Sequence, residues 1–202
     1  MRDVAVSNRL FGGTRAVLRE FSDNAARLPS QATLIDVGTG LGDIPAAAAG
    51  VAARSGRRLF TIGVDASEAL ARASRARLDA AVVADAAALP FRDNAVHVAS
   101  SSQLLHHFSA RNAETVVREL ERVASLLVIV SDIRRSRIAA AGLWLASFVL
   151  RFHPVSRHDG IASVRRGFTT SELAALADRA LGRGVTVRRS VGFRVTATWS
   201  PR

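Results

Sequence analysis

Residues 34–43 read LIDVGTGLGD, and this stretch decides the fold of the chain. The apolar run from Thr33 to Val37 predicts a buried parallel strand, and glycines follow it at alternate positions. Glycine allows a tight turn and lets backbone N–H groups approach a ligand closely. The stretch therefore predicts a strand, a ligand-binding turn and a helix that begins at Asp43. A tight turn without a ligand is the alternative.

Strands and helices alternate along the rest of the chain. Apolar runs predict further parallel strands at 58–64, 81–84, 95–100 and 126–131, with helices between them at 43–54, 68–78 and 111–124. A capping-box helix at 170–181 and alternating runs at 185–189 and 193–199 follow. We therefore predict an α/β fold, a Rossmann-like doubly wound sheet that is mostly parallel, with seven strands and a C-terminal antiparallel hairpin.

The chain is predicted to form a single domain over residues 1–202, because no linker or internal repeat interrupts it. Residues 1–30 have helical periodicity and predict a helical cover over the glycine turn. Residues 133–168 are predicted to form a lid or substrate-binding insertion, because the almost wholly apolar segment 138–152 follows the fifth strand. A buried core helix is the alternative for that segment.

Composition narrows the classes of function. Cysteine is absent, which excludes disulfides, thiol catalysis and zinc–thiolate sites and fits a cytoplasmic protein. The net charge of +11 is typical of proteins that bind nucleic acid or anionic membranes. All 28 basic residues are arginine, however, a bias that a GC-rich genome leaves in any of its proteins. We therefore expect no specific nucleic-acid binding, and peripheral membrane contact stays open.

Polar residues follow successive predicted strands. Asp65, Asp85 and Asp132 come after the second, third and fifth strands, and Ser101 and His106 come after the fourth. Ligands of doubly wound sheets bind outside the carboxyl ends of the strands. A carboxylate after the second strand can accept both ribose hydroxyls, and one after the third can accept an adenine amino hydrogen. Together they predict a nucleoside pocket, although each alone is also explained as a helix cap or turn former.

These motifs resemble those of the class I S-adenosylmethionine-dependent methyltransferases. Residues 34–42 resemble the first motif of that family, and 63–67 (GVDAS) look like its ribose-binding segment. Residues 84–91 and 104–108 are similar to the small-molecule subgroup that contains the ubiquinone and menaquinone biosynthesis methyltransferases. The resemblance covers residues 30–132. One departure is Ala124-Ser125, where relatives often carry Pro-Gly-Gly before the fifth strand.

The resemblance implies S-adenosyl-L-methionine as the cofactor. It implies that the turn approaches the methionine part, that Asp36 positions the turn and the cofactor ammonium, and that Asp65 binds ribose. It also implies that Asp85 and Ala86 flank adenine and that Ser101 lies beside the cofactor. The residues so implied in cofactor binding are Asp36, Gly38, Thr39, Gly40, Asp65, Ala66, Asp85, Ala86 and Ser101.

A hydroxyl acceptor also needs a base, and His106 with Asp132 is the predicted pair, because a carboxylate can orient a histidine. Similar His/Asp pairs serve as the base in some sugar O-methyltransferases of this subgroup. The Leu-His-His turn could instead be structural, as we expect of His107. The irregular segment 153–168 is either a solvated loop or a substrate clamp with His158 as the base. We expect no metal site, because no histidine pair has helical ligand spacing backed by a carboxylate.

The predicted activity is S-adenosylmethionine-dependent methyl transfer to a small molecule at a hydroxyl, phenol or carbon. The apolar segment 138–152 favours a hydrophobic acceptor as the partner. An RNA or protein methyltransferase, or a non-catalytic cofactor-binding subunit, is the alternative. No Asn/Asp-Pro-Pro-Tyr/Phe motif follows the fourth strand, which argues against amide- and adenine-amino-methylating enzymes. The lack of Tyr and Lys argues against an NAD-dependent reductase. The sequence leaves the acceptor, the methylated atom and the oligomeric state open.

Overall fold

The computed structural model describes residues 13–136, 160 and 162–202. Its helices are α1 (Gly13–Asn24), α2 (Asp43–Arg54), α3 (Glu68–Ser74), α4 (Ala110–Val123) and α5 (Thr170–Leu181). Its strands are β1 (Gln31–Val37), β2 (Arg58–Asp65), β3 (Ala80–Val83), β4 (Val96–Ser102), β5 (Ala124–Ile133), β6 (Thr186–Ser190) and β7 (Arg194–Trp199). Short 3₁₀ turns occupy Ala25–Arg27 and Leu105–His107. The predictions for 1–12, the apolar segment 138–152 and His158 lie outside the described residues.

The strands form one seven-stranded sheet in the order β3-β2-β1-β4-β5-β7-β6. The first five in this order are parallel, and β7 pairs antiparallel with both β5 and β6. The predicted mostly parallel sheet with a C-terminal antiparallel hairpin is therefore confirmed. The order reverses direction at β1 and β4, so that the carboxyl ends of these two central strands flank the crevice where doubly wound sheets bind ligands.

Helices cover both faces of this sheet, because the strands bury apolar side chains on both sides. Leu34 packs with Phe21 of α1 and Ala48 of α2 on one face. Ile35, the next residue, packs with Leu120 of α4 and other apolar residues on the opposite face. This alternation along β1 fixes which polar residues of neighbouring strands share a face.

Strands β2, β4 and β5 extend beyond their predicted ends, and β2 includes Asp65. We expected Ser101 after the fourth strand and Asp132 after the fifth, but both lie within strands, β4 and β5. The extension of β5 comes from its pairing with β7, in which Ile133 lies opposite Arg194. Such a distant partner leaves no mark on the local sequence. Conversely, α3 ends at Ser74 rather than Leu78, and the chain turns so that Leu78 packs against the glycines at 42 and 63.

Helix α1 is attached to the sheet by a buried carboxylate. Glu20 is fully buried and accepts hydrogen bonds from the hydroxyls of Thr198, at 3.1 Å, and Thr196, at 3.4 Å, both on β7. Its Oε1 also lies 3.6 Å from Nε of Arg188 on β6. The helix in the predicted N-terminal cover thus contacts the antiparallel strands β6 and β7 as well as α2. None of the helices in the described part of the chain is long and apolar enough to span a membrane.

Candidate active site

The glycine turn joins β1 to α2 in a conformation that other residues adopt only with strain. Gly38, Gly40 and Gly42 have φ values of 75°, 57° and 76°. The N–H groups of Gly38 and Thr39 donate to the carbonyl oxygen of Val64 at 2.8 and 3.0 Å, which anchors the turn to β2. A Cβ atom at Gly40 would meet no atom within 4 Å. The turn is therefore fixed at its start and open at Gly40.

Asp65 connects this turn to the end of β2. Its Oδ2 accepts the N–H of Gly40 at 3.0 Å, and its Oδ1 accepts the N–H of Ser67 at 2.9 Å. The side chain is half-buried and Ala66 beside it is exposed. Because a carboxylate oxygen has two lone-pair positions, each oxygen keeps one for a further donor. The carboxylate thus holds the two loops together and can still accept two hydroxyl groups.

Asp85 follows β3 at the same edge of the sheet. The N–H of Ala84 donates to the carbonyl oxygen of Asp65 at 3.2 Å, which places the two carboxylates on neighbouring loops. Asp85 is exposed, and its Oδ1 accepts the N–H of Ala87 at 2.9 Å, as in an Asx turn. Ala86 between them is buried. The acidic residues predicted to form the nucleoside pocket are therefore brought together.

Asp36 is buried within β1, below the turn. Ser100 Oγ donates a hydrogen bond to its Oδ1 at 2.7 Å. Burial raises the pKa of Asp36 to about 6, against the opposing effect of the Ser100 and Thr39 hydroxyls, and the nearby charge of Asp65 raises it further. The carboxyl group is thus held in an environment that disfavours its charge.

Ser101 lies on β4 beside the end of β1, where it is paired in register with Val37. Its side chain is 1% exposed, and its Oγ has no hydrogen-bond partner among the described residues. Buried hydroxyl groups without a partner are rare and cost free energy. Ser101 is therefore a buried polar group whose hydrogen-bonding capacity the described residues do not satisfy.

His106 and Asp132 form a buried pair. Nδ1 of His106 lies 2.7 Å from Oδ1 of Asp132, and the two side chains are 2% and 0% exposed. The backbone N–H of His106 donates to Oδ2 of Asp132 at 3.2 Å, and the N–H of Ile133 donates to Oδ1 at 2.6 Å. Because a carboxylate accepts hydrogen bonds, it favours the tautomer with the proton on Nδ1, which leaves a lone pair on Nε2. The structure thus brings the predicted pair together with a fixed ring orientation.

The pair also affects the pKa values of two nearby residues, Arg194 and His107. Arg194 on β7 is 3% exposed, and burial lowers its pKa to about 10 against the attraction of Asp132. The ring of His107 lies 4.0 Å from that of His106, centroid to centroid, at a tilt of 38°. Burial lowers the pKa of His107, and the charge of Arg166 acts in the same direction, against that of Asp132. His107 is therefore held neutral at the rim.

A cleft of about 560 Å³ opens next to His106, between the start of α4 and α5. The sequence does not predict this cleft, because its residues come from separate segments of the chain. Residues 162–166, expected to be irregular, are helical and contribute Arg166. Arginine and aromatic side chains line it together with both histidines: His106, His107, Phe108, Ser109, Ala110, Ala113, Arg135, Arg166, Gly167, Phe168, Glu172, Ala175, Leu176 and Arg179. Among residues 13–136, 160 and 162–202, no three His, Asp or Glu side chains come together as a metal ion would require.

One family model matches the part of the chain that contains the glycine turn. Residues 35–125 match the family model described as a methyltransferase domain. No curated protein matches the chain in sequence.

Solved structures share its fold at low identity. An S-adenosylmethionine-dependent methyltransferase from Aquifex aeolicus is 18% identical, with 95% of this chain and 91% of that chain covered and a TM-score of 0.62. Magnesium protoporphyrin IX methyltransferase from Synechocystis, solved with bound S-adenosylhomocysteine, is 16% identical, with coverages of 98% and 87% and a TM-score of 0.64. A complex between the Trm112 activator and a methyltransferase from Haloferax volcanii gives 16% identity, coverages of 100% and 94%, and a TM-score of 0.65.

At these identities the likeness to solved structures concerns the fold. The family match concerns residues 35–125, less than half of the chain, which hold the glycine turn, Asp65 and Asp85. Taken together, residues 35–125 match a methyltransferase domain, and the chain shares its fold with solved S-adenosylmethionine-dependent methyltransferases.

Proposed function

We propose that this enzyme transfers a methyl group to a hydroxyl group of a small, partly apolar molecule, with His106 and Asp132 as the base. The observation that carries the proposal is the 2.7 Å contact between Nδ1 of His106 and Asp132 in a buried pair that borders the cleft. A base is needed because a hydroxyl acceptor must lose its proton as the new bond forms. When bound, the cofactor supplies an electrophilic methyl group on a sulfonium centre.

The cofactor site that we propose uses the open turn at Gly40 and the two carboxylates next to it. Support comes from the free lone pairs of Asp65, the exposed Asp85 and the unpartnered hydroxyl of Ser101. The positive φ values at Gly38 and Gly40 let the backbone lie close to the methionine part. Asp36 would support the turn from below through Ser100.

In this proposal the chain's residues divide the remaining work. Asp132 fixes the ring of His106 through Nδ1, and its hydrogen bond to the backbone N–H of His106 holds the turn that carries the ring. Nε2 then takes the acceptor proton, and Asp132 stabilises the imidazolium that forms. Phe108 and Phe168 line the apolar part of the cleft and would exclude water from the acceptor. His158 stays an alternative base that lies outside the described residues.

Binding of S-adenosylhomocysteine to wild type and Asp65→Ala, measured by titration calorimetry, tests the cofactor site. We expect the variant to bind at least about tenfold more weakly, since it loses two charge-assisted hydrogen bonds. Asp93→Ala, which removes an exposed carboxylate far along the chain from the turn, is the matched control and should bind like wild type. Equal affinities for Asp65→Ala and wild type would contradict the proposed site.

A screen of small hydroxylated and phenolic compounds with labelled cofactor would identify an acceptor. With an acceptor in hand, His106→Ala should lower the single-turnover rate by ~10²–10⁴, the usual contribution of a positioned base. Asp132→Asn should lose part of the same effect, and the double variant should be little slower than His106→Ala, because residues that act as one unit are non-additive. A wild-type rate in His106→Ala would leave only alignment of the acceptor by the cleft.

An RNA or protein acceptor is the second candidate. The net charge of +11 favours an RNA acceptor. The Haloferax volcanii methyltransferase of similar fold is in complex with another protein, the Trm112 activator. Binding that rests on phosphate neutralisation alone should weaken steeply as salt increases. Tight, sequence-selective RNA binding at physiological salt would therefore favour this candidate over the small-molecule acceptor.

A further inference from the structure

We propose that the acceptor is an amphipathic anion, with a carboxylate or phosphate group that Arg166 binds and an apolar body that lies on Phe108 and Phe168. The inference rests on the proposed function, because it takes the cleft beside His106 as the acceptor site. It adds the chemical class of the acceptor, which neither the motifs nor the fold specifies.

The charges around the cleft are unbalanced. Three arginines and one carboxylate line it: Arg135, Arg166, Arg179 and Glu172. Arg135 is ion-paired with Glu172, and Nε of Arg179 lies 2.7 Å from Oε1 of Glu114. Among the described residues no carboxylate pairs with Arg166, which is exposed at the cleft. Arg166 is therefore the guanidinium group that is available to a ligand.

The backbone just after Arg166 is fixed to the end of β5. The N–H of Phe168 donates to the carbonyl oxygen of Ile133 at 2.9 Å, and the N–H of Arg135 donates to the carbonyl oxygen of Phe168 at 3.0 Å. Gly167 makes this approach possible, because a Cβ there would lie 2.4 Å from the carbonyl oxygen of Ile133. Ile133 follows Asp132 directly, so the anchor of Arg166 is one residue from the proposed base. An anion bound there is held in a constant position relative to His106.

The rest of the lining specifies the ligand further. Phe108, Phe168 and Leu176 offer apolar surface, and a volume of about 560 Å³ is within the range of small-molecule sites. Burial and the charge of Arg166 lower the pKa of His107, which disfavours a competing positive charge beside Arg166. A guanidinium group binds planar carboxylates and phosphates with two parallel hydrogen bonds. A molecule with an apolar body and one anionic group satisfies both halves of the cleft.

Three small probes test this inference: 1-naphthoate, the neutral isostere 1-naphthamide, and 1-naphthyl phosphate. Their binding to the full chain, saturated with S-adenosylhomocysteine, is measured by calorimetry for wild type, Arg166→Gln and Arg165→Gln. Arg165 is the matched control, because it is the adjacent exposed arginine and does not line the cleft. We expect wild type to bind an anionic probe about tenfold more tightly than the amide, a typical effect of a charge-assisted pair. Arg166→Gln should abolish that difference, and Arg165→Gln should keep it.

Several results would overturn the inference. They are equal affinity of wild type for the amide and for both anions, equal behaviour of Arg166→Gln and Arg165→Gln, or no binding of any probe. Displacement of naphthoate by a random single-stranded RNA at physiological salt would instead assign the cleft to nucleic acid. The anionic probe that wild type binds more tightly indicates whether the acceptor carries a carboxylate or a phosphate.

The same titrations separate this inference from the proposed function. Failure of the probes while S-adenosylhomocysteine still binds and Asp65→Ala weakens it would refute only the anionic acceptor. Failure of wild type to bind S-adenosylhomocysteine would refute the proposed cofactor site itself. Circular dichroism of each variant confirms that it is folded. Arg166→Lys keeps the charge but not the planar guanidinium group, so its preference for an anionic probe over the amide should lie between those of wild type and Arg166→Gln.

Discussion

Replacing Asp36 with asparagine should make the protein more stable at neutral pH. Burial raises the pKa of this carboxyl group to about 6 from its ordinary value of 3.8. The unfolded chain therefore releases the proton at a lower pH than the folded protein does. Between these two values, each increase in pH favours the unfolded state, and the folded protein loses stability until Asp36 is ionised in both states. Asparagine keeps the shape of the side chain and can still accept from Ser100 Oγ.

The size of the effect follows from the difference between the two pKa values. A difference of about two units corresponds to about 3 kcal/mol, because each unit contributes about 1.4 kcal/mol. Stability is fully present well below pH 3.8 and is lost as pH rises through about 6. The gain of Asp36→Asn over wild type should therefore be small near pH 4, about half developed near pH 5, and about 3 kcal/mol at pH 7 and above.

Urea denaturation of the two proteins at a series of pH values from 4 to 8 measures this gain. The difference between variant and wild type cancels the titration of all other groups. Asp79→Asn is a control of opposite sign, because a hydrogen bond from the backbone N–H of Thr61 lowers the pKa of Asp79. Its loss of stability should change little from pH 4 to 8, because a lowered pKa keeps Asp79 ionised in the fold over this range, so the variant should lack the pH-dependent gain of Asp36→Asn.

A constant difference between Asp36→Asn and wild type from pH 4 to 8 would refute the reasoning, as would a destabilisation that grows with pH. The first result would mean that the carboxyl group titrates normally despite its burial. The second would mean that its charge is stabilised in the fold. In either case burial would not raise the pKa of Asp36.

Two further predictions concern residues of the site and its support. Gly167→Ala should destabilise the protein by at least about 2 kcal/mol in urea denaturation, because its Cβ would meet the carbonyl oxygen of Ile133. Gly184→Ala is the control: the added Cβ has no neighbour within 4 Å, so the variant should lose no more than about 1 kcal/mol. Ser101→Ala should leave the free energy of unfolding unchanged or raise it by up to about 1 kcal/mol, because its buried hydroxyl has no partner among the described residues. The same variant should bind S-adenosylhomocysteine more weakly, and a stable variant with unaltered affinity would exclude Ser101 from the cofactor site.

The parts of the fold that were predictable depend on neighbours in sequence. The alternation of strands with helices is visible because apolar residues repeat with the period of each element. The capping box that starts α5, in which Thr169 and Glu172 bond to each other's backbone, lies within four residues and was predicted correctly. Asp65 and Asp85 could be placed at one edge because parallel strands share the direction of their carboxyl ends.

The parts that escaped prediction depend on contacts between distant segments. The extension of β5 to Ile133 requires β7 as its partner, so the position of Asp132 inside a strand could not be read locally. The cleft joins residues 106–113 to 135 and 166–179. The packing of α4 against α5 and the hydrogen bonds of Phe168 to the end of β5 bring them together. Gly167 could not be recognised as necessary, because the carbonyl oxygen that it approaches belongs to β5.

The insertion of β7 between β5 and β6 also has a consequence for the rate of folding. Strand β7 is the inner neighbour of β5, and it supplies the hydroxyl partners of Glu20, which are 176 and 178 residues away in the chain. Until β7 is in place, docking of α1 would bury the Glu20 carboxylate without these donors, which is costly. We therefore expect the early parallel strands to assemble first and α1 to dock late, in a slow step set by the closure of one long loop. Thr198→Val should accordingly speed unfolding more than it slows refolding.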